Sequence, residues 1–310
     1  MASAAQQPDT VGSMARTARK VLLGREIDAL LRRSRTTQVD AGKMIGVSQS
    51  RIASVISGTG NLSAQALDDL VRQLGVADDD YIAILLDLRE DSHRRGFWNS
   101  GYRRAYIEEL RLLVDLEAVA DRLRETAAEI VPGLLQHESY IRALHEPLQP
   151  DPDDPGAVTV DDYVRARVAR QRILLERGAP EFHAILSESC LRRTYGGDAV
   201  MLDQITHLLE LATRPNIQIQ VMPFTHQAPG AGMEDRYILV RVPSPGAAGD
   251  LEMAVVEAQG EIRYIDDKPA VGIRDKIFNR LAMTALSPHD SRQFMEHLVR
   301  GLRSRPTIQR

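Results

Sequence analysis

The stretch TQVDAGKMIGVSQSRIASVISG, residues 37–58, decides the fold of the first part of the chain, because it predicts one short helix, a tight turn and a second short helix. Thr37 can cap the first helix by accepting a backbone N–H, and Gly46 can end it because glycine enters the left-handed conformation at little cost. Ser48 can cap the second helix in the same way as Thr37. The segment is therefore predicted to be a helical hairpin with defined ends.

The second helix of this hairpin has two different faces. Ile52, Val55 and Ile56 recur at the i, i+3, i+4 spacing that buries one stripe of a helix. The opposite face is uncharged and rich in hydrogen-bonding groups, and it carries Gln49, Ser50, Ala53, Ser54 and Ser57. In a major groove, glutamine can pair with adenine, serine with several bases and alanine with the thymine methyl group. The face therefore indicates a reader of double-stranded DNA, and a solvated or protein-contacting hairpin is the alternative.

Apolar stripes on both sides place the hairpin within a small helical bundle. The upstream stripe ends near Ser34 and contains Leu23, Ile27, Leu30 and Leu31. The downstream helix begins at Ser63, is closed by Gly75 and repeats Leu67, Leu70, Val71 and Leu74 at helical spacing. We therefore expect a helix-turn-helix bundle of four to five helices over residues 16–88, after a disordered lead-in over residues 1–15.

Charge is distributed unevenly along the chain. The 310 residues contain 39 Lys and Arg against 43 Asp and Glu, which argues against a uniformly basic coat on nucleic acid. Residues 16–76 contain ten basic and five acidic residues, a local net charge of +5. This basic end can approach phosphates, while the acidic remainder limits indiscriminate binding.

The segment GVSQSRIASVISG, residues 46–58, resembles the DNA-binding domain of the XRE regulators, the family of Cro-like and C1-repressor-like proteins. That resemblance, together with the outward face of the second helix, gives the expected DNA contacts: Gln38, Ser48, Gln49, Ser50, Arg51, Ser54 and Ser57.

The same resemblance assigns roles to these residues. It implies that Gln38 contacts phosphate and that Ser48 and Arg51 contact the DNA backbone. It also implies that Gln49, Ser50 and Ser54 contact base edges. One such head contacts only a few base pairs, so we expect a homodimer on a pseudo-palindromic operator with half-sites one helical turn apart.

The rest of the chain is long enough for a second domain. Residues 89–103 form a polar stretch that indicates a linker, and residues 104–310 follow it. Apolar positions at an approximately helical period predict one long helix over residues 104–129, whose stripe we expect to contribute to the dimer contact. An acidic, proline-rich loop at residues 149–156 precedes a strongly basic helix over residues 164–177. Its arginines are expected to form a solvated face, with an acidic partner surface as the alternative.

Strand patterns follow in the second half of this domain. Alternating and β-branched runs predict four or five strands, FHAILSE, NIQIQVMPF, RYILVRV, EMAVVEA and EIRYID. Gln259 and Gly260 are expected to form a tight hairpin, and helices are expected over residues 200–212, 270–286 and 288–303. The predicted fold class is therefore mainly α with an α+β second domain, in which a helical segment and further helices accompany an antiparallel sheet.

Three segments of this domain carry a second resemblance: VPGLLQHESYIRAL, RVARQRILLERGAPEFHAILSESCLRR and RPNIQIQVMPF. They resemble the C-terminal domain, sometimes called antitoxin-like, that accompanies XRE heads in actinobacterial regulators, including WhiJ-like developmental regulators. The match runs over nearly all of residues 95–295. Such regulators usually work with a small BldB-like partner protein encoded beside them. The resemblance implies that the second domain binds a partner protein, and a small-molecule pocket in this domain is the alternative.

Catalytic and metal-binding patterns are weak. Ser187, Ser189, Cys190 and His183 are close in sequence, but no G-x-S-x-G motif surrounds them. The eight histidines form no H-x-x-x-H pair and no Cys/His pair at zinc spacing. We therefore expect neither an enzyme nor a metal or cofactor site.

Cysteine content and hydropathy indicate where the protein acts. The one cysteine excludes an internal disulfide and fits a reducing compartment. No apolar run approaches the roughly 20 residues that span a bilayer, and no signal peptide opens the chain. The expectation is a cytoplasmic, nucleoid-associated dimeric repressor that uses no membrane.

Overall fold

The computed structural model describes residues 16–90, 102–146, 158–233, 236–258 and 261–304. The chain forms two compact units. The first, here called the head, comprises Met1–Ser92 and Ser244–Gly249, and the second, here called the body, comprises the remainder. The predicted lead-in, most of the predicted linker, the acidic loop and the hairpin turn at residues 259–260 lie outside the described residues.

The described part of the head contains five helices, α1 to α5: Ala18–Ser34, Gln38–Met44, Gln49–Ile56, Ala64–Gln73 and Asp79–Arg89. Each helix begins after a side chain that accepts a backbone N–H, supplied in turn by Thr17, Thr37, Ser48, Ser63 and Asp78. Apolar residues at helical spacing, among them Ile27, Ile52 and Leu67, are fully buried between the helices. The predicted bundle of four to five helices is confirmed.

One carboxylate is sealed inside the head. Glu26 is 1% exposed, and it accepts hydrogen bonds from the Tyr81 and Ser244 hydroxyls, both at 2.5 Å. The backbone N–H of Ala248 donates a third at 3.2 Å. These donors satisfy a group that would otherwise be costly to bury, and they hold Ser244–Gly249 within the head.

The described part of the body contains seven α-helices and six strands. Helices α6 to α12 are Glu108–Glu117, Glu138–His145, Val160–Gln171, Glu188–Arg192, Asp198–Leu211, Lys268–Thr284 and Pro288–Ser304. Strands β1 to β6 are Arg122–Ala127, Glu181–Ser187, Ile217–Met222, Arg236–Val242, Leu251–Ala258 and Glu261–Ile265. Short 3-10 helices add Tyr102–Ala105, Gly133–Leu135 and Arg172–Leu174. The predicted helices near residues 200, 270 and 288 are present as α10, α11 and α12.

The six strands form one mixed sheet in the order β3-β2-β1-β4-β5-β6. Strands β1, β2 and β3 are mutually parallel, whereas β4, β5 and β6 are antiparallel to their neighbours. Helices α7 and α8 connect β1 to β2, and α9 and α10 connect β2 to β3, because parallel strands need long crossovers. The prediction of an α+β body is confirmed, but the expected four- or five-stranded antiparallel sheet was wrong in strand count and direction.

Strand β1 was not predicted from the sequence. The prediction of one helix over residues 104–129 is wrong, because α6 ends at Glu117 and the chain turns into β1 at Arg122. Leu123 and Ala127 are fully buried where β1 pairs with both β2 and β4. Pairing on both edges outweighs a local helical period, which is a weak preference. No continuous apolar stripe therefore spans this region to serve as a dimer seam.

Helix α11 covers one face of the sheet. Its Phe278 and Leu281 are buried against Tyr237 and Leu239 of β4. Asp267 begins this helix by accepting the backbone N–H of Ala270 at 3.0 Å. Burial of such large side chains contributes on the order of 2 kcal/mol each and makes this face the apolar core of the body.

The opposite face of the sheet contains ionised side chains, and α8 contributes to them. The prediction of a solvated basic face on α8 is wrong for Arg170, which is buried and pairs with Glu117 through two hydrogen bonds of 2.6 Å each. On the sheet itself, Arg236 lies 3.3 Å from Glu125 and 3.1 Å from Glu257. The interior of the body is thus partly built from charge pairs.

Candidate nucleic-acid interface

The hairpin of α2 and α3 has the local structure that its sequence predicts. Thr37 Oγ1 accepts the backbone N–H of Asp40 at 3.1 Å, and Ser48 Oγ accepts that of Arg51 at 3.2 Å. Gly46 has φ +69°, the left-handed conformation that ends the turn of α2. The backbone N–H of Val47 then bonds to the carbonyl of Gly42 at 2.8 Å. The caps at Thr37 and Ser48 and the left-handed Gly46 thus fix the geometry between α2 and α3.

Helix α3 is seated on the bundle by its apolar stripe and by α1. Ile52 and Val55 are buried, with exposures of 0% and 2%. A Cβ atom on Gly24 of α1 would lie only 2.4 Å from the carbonyl oxygen of Ile56 and 2.5 Å from that of Val55. Only glycine allows the two backbones to meet this closely. This packing leaves the amino-terminal turn of α3 accessible to other contacts.

The amino-terminal turn of α3 presents the predicted contact residues together. Gln49, Ser50 and Arg51 are exposed. Gln49 Nε2 donates to Gln38 Oε1 at 2.9 Å, which joins the expected base contact to the expected phosphate contact. The hydroxyls of Ser48 and Ser50 lie 2.9 Å apart. These pairs hold short polar side chains in place before DNA arrives.

The carboxyl-terminal half of α3 differs from the prediction of an open face. Ala53 and Ser54 are half-buried. Ser54 Oγ donates to the carbonyl of Arg51 at 2.7 Å, and the backbone of Gly60 passes close to that hydroxyl. Ser57 is exposed, and its hydroxyl donates to the carbonyl of Ser54 at 3.0 Å. The structure therefore groups Gln38 with residues 48–51 and sets Ser54 and Ser57 apart from them.

Arg51 differs from two exposed cations of the head, Lys43 and Arg32, that are paired with carboxylates. Lys43 lies 3.6 Å from Asp40, and Arg32 lies 2.6 Å from Asp28. Within the described chain, the Arg51 guanidinium makes no ion pair or hydrogen bond. It can therefore take a phosphate without first breaking an ion pair.

Comparison with known proteins identifies both units. Residues 110–297, more than half of the chain, match the family model described as a domain of unknown function, DUF5753. The chain belongs to the DUF5753 family. Residues 27–81 match the helix-turn-helix family model HTH_3, and this match includes α2 and α3 in full. No curated protein and no solved structure matches the chain. This DUF5753 protein is thus an XRE-type DNA-binding transcriptional regulator.

The DUF5753 body carries its one thiol in a sealed position. Cys190 is fully buried, and its Sγ donates to the carbonyl of Ala127 at 3.1 Å. Burial raises the pKa of this thiol to about 12, so it is protonated at neutral pH. His183 lies on β2 and contacts Gln220 on β3 at 2.7 Å, and burial lowers its pKa. These groups do not form a nucleophile with an adjacent base.

Two features are absent from the described part of this DUF5753 protein. No group of three or more His, Cys, Asp or Glu side chains there is arranged to hold a metal ion. No helix within the same described ranges has the length and apolar character needed to cross a membrane.

One group of body residues was not predicted from the sequence. His145 on α7 stacks on Tyr163 of α8, with ring centroids 4.4 Å apart, and Arg167 lies one helical turn after Tyr163. The four-residue spacing of Tyr163 and Arg167 is visible in the sequence, but the packing of α7 against α8 is not.

Proposed function

We propose that this DUF5753-family regulator is a dimeric repressor that binds a pseudo-palindromic operator with two copies of α3. The observation that carries the proposal is the exposed group of Gln49, Ser50 and Arg51 at the start of α3, with the half-buried Gln38 of α2 bonded to Gln49. Recognition helices of this class contact base edges with their amino-terminal residues. A single α3 can read only a few base pairs, so two copies are needed to select a site.

The division of roles within the cluster can be measured. Gln49→Ala should cost about 1–3 kcal/mol at the specific operator and little on random DNA, because only base pairing is lost. Arg51→Ala should weaken binding to both and reduce the salt slope by about one unit, because a phosphate contact is lost. Quantitative footprinting at several salt concentrations measures both effects.

A matched control is Gln65→Ala, since Gln65 is exposed on α4 and bonds only to Asp69 at 2.8 Å among the described residues. This variant should bind operator and random DNA like the wild type. If Gln49→Ala and the wild type discriminated equally between operator and random DNA, the assigned base contact of Gln49 would be refuted.

We further propose that the body binds a small BldB-like partner protein. Support comes from an apolar surface around α11, here called the α11 surface, on which Phe224, Ile273 and Met283 are 65%, 59% and 88% exposed. His226 bonds to the Thr284 carbonyl at 2.9 Å and ties the loop after β3 to α11. Two hollows of about 550 and 410 Å³ lie along it. Large exposed apolar side chains beside hollows are typical of protein interaction sites.

Substitution on this surface tests the partner proposal. Ile273→Asp should abolish co-purification of the partner from the native cell and should leave the operator affinity of the purified regulator unchanged. Ile84→Asp changes an exposed isoleucine of the head, 43% exposed, and serves as the matched control. Retention of the partner by the Ile273 variant would exclude the α11 surface.

Control of DNA binding by a small molecule is the second candidate function. The observation that favours it is that both ring nitrogens of His145 are buried in the body without a hydrogen-bond partner in the described chain. In either case we propose binding rather than catalysis, supported by the protonated, sealed thiol of Cys190.

A further inference from the structure

An arginine in the body lies in the interior without a counter-ion. The guanidinium of Arg167 rests against Gly133, where a Cβ atom would be only 3.0 Å from its Nη1 and 3.5 Å from Nη1 of Arg170. Arg167 makes no ion pair and no hydrogen bond with any described residue. It is partly rather than fully buried, so solvent can reach it.

The neighbours of Arg167 show that this arrangement is unusual within the body. Arg170 donates two hydrogen bonds of 2.6 Å to Glu117, and Arg236 forms ion pairs with both Glu125 and Glu257. Burial, and then the charge of Arg170, lower the pKa of Arg167 to about 10. A partly desolvated cation without a partner is unfavourable, whereas the carboxylate partners of its neighbours offset most of that cost for them.

A second set of unsatisfied polar atoms lies on His145. Its ring stacks on Tyr163, nearly parallel at 4°, and neither ring nitrogen has a hydrogen-bond partner in the described chain although both are buried. Burial first, and then the charge of Arg167, lower the pKa of His145 to about 4. The ring is therefore neutral at pH 7 and keeps one N–H donor.

Helix α8 brings these groups to one side. Tyr163 and Arg167 are four residues apart on α8 and therefore share a face, and His145 lies on the Tyr163 ring. Tyr106 is buried close by, with the Arg170 guanidinium 5.9 Å from its ring. We call Tyr106, Gly133, His145, Tyr163 and Arg167 the Arg167 cluster.

We propose that the Arg167 cluster binds a small molecule through a single carboxylate group. The planar guanidinium of Arg167 offers two parallel N–H donors that match the two oxygens of a carboxylate. The neutral ring of His145 donates a third hydrogen bond. One unpaired cation is balanced by one negative charge, so a doubly charged phosphate fits less well. The inference concerns the body alone and stands whether or not α3 reads DNA.

Small carboxylates serve as probes on the full chain. Thermal unfolding and titration calorimetry with acetate, propionate and benzoate should show saturable binding at constant ionic strength set with chloride. Inorganic phosphate should bind at least threefold more weakly than the best carboxylate. Tighter binding of phosphate would overturn the carboxylate assignment.

Variants separate the cluster from general charge effects. Arg167→Gln should weaken carboxylate binding at least tenfold, and His145→Gln should weaken it severalfold. Arg165→Gln is the matched control, because Arg165 is exposed on the same helix and paired with Asp162, and it should bind like the wild type. Binding that is equal in the Arg167 variant and the wild type, or no saturable binding by the wild type, would refute the proposal.

A folding defect can be distinguished from a binding defect. In the absence of any carboxylate, Arg167→Gln should unfold at the same temperature as the wild type or higher, because it removes an unpaired cation. Arg167→Lys keeps the charge but loses the planar fork, and it should bind carboxylates several times more weakly. Nitrogen-15 signals of the His145 ring should shift on carboxylate addition in the wild type, and unchanged signals at saturation would contradict the assigned hydrogen bond.

Discussion

Helices α3 and α8 each carry a polar face, and the two helices use it in opposite ways. At the start of α3, Gln49, Ser50 and Arg51 are exposed, and Gln49 bonds to Gln38 of α2. On α8, Arg170 points inward and pairs with the buried Glu117. Exposed groups can exchange water for DNA at little cost, whereas buried groups must keep their partners. The first face is therefore suited to recognition and the second maintains the interior.

Breaking the buried pair gives the largest expected effect. Glu117→Gln should destabilise the body by about 3–5 kcal/mol, because it leaves the buried Arg170 cation uncompensated. Urea unfolding of the full chain, with hydrogen exchange of body peptides, measures this loss. The exposed pair of Arg165 and Asp162 is the control, and Arg165→Gln should cost under about 1 kcal/mol.

The reverse experiment sharpens the same comparison. Replacing Glu117 and Arg170 together by methionine should restore stability close to that of the wild type, because no charge is then left buried. If the single and double variants lost the same stability, packing around Glu117 rather than its charge would be responsible.

A pH dependence is the next largest effect. Burial raises the pKa of Glu125 from an ordinary 4.5 to about 7, and it lowers the pKa of His145 from 6.5 to about 4. The folded state therefore favours protonated Glu125, a contribution present below pH 4.5 and lost as the pH rises to about 7. The contribution of neutral His145 is present above pH 6.5 and lost as the pH falls to about 4.

These two contributions oppose each other, so variants should reveal each of them. Relative to the wild type, Glu125→Gln should gain stability as the pH rises from 4.5 to 7, by on the order of 3 kcal/mol. His145→Gln should gain relative stability as the pH falls from 6.5 to 4. Unfolding free energies of the full chain across this range measure both. A Glu125 variant that follows the wild type at every pH would show that this carboxyl ionises normally.

The smallest expected effect concerns the cap of α3. Ser48→Ala and Ser63→Ala each remove a helix cap and should each cost about 1 kcal/mol of head stability. Only the Ser48 variant should also lower operator affinity, because Ser48 fixes the start of α3. Equal losses of affinity in both variants would mean that the cap acts through general stability and not through the position of α3.

The head could be predicted from sequence because its signals are local. Caps such as Thr37 and Ser48 and the stripe of Ile52 and Val55 lie within one or two turns of the structure that they specify. The inward turn of Ser54 could not be predicted, because it depends on the later approach of Gly60.

The body was less predictable because its decisive contacts are distant in sequence. Strand β1 exists through pairing with residues about 60 and 115 positions away, and its local pattern resembles a helix. The ion pair of Glu117 and Arg170 spans 53 positions, so the basic run on α8 could not be distinguished from a solvated face. Charge pattern alone does not show which arginines find a buried acid.

Because Cys190 is fully buried, its reaction with a thiol reagent can report opening of the body. A thiol reagent can reach this side chain only when the interior of the sheet and α9 opens, because the sulfur is covered and protonated in the closed state. The rate of thiol modification in native buffer therefore measures how often that region opens. A second cysteine placed on the surface of the head can be labelled selectively, with no need to remove the native one.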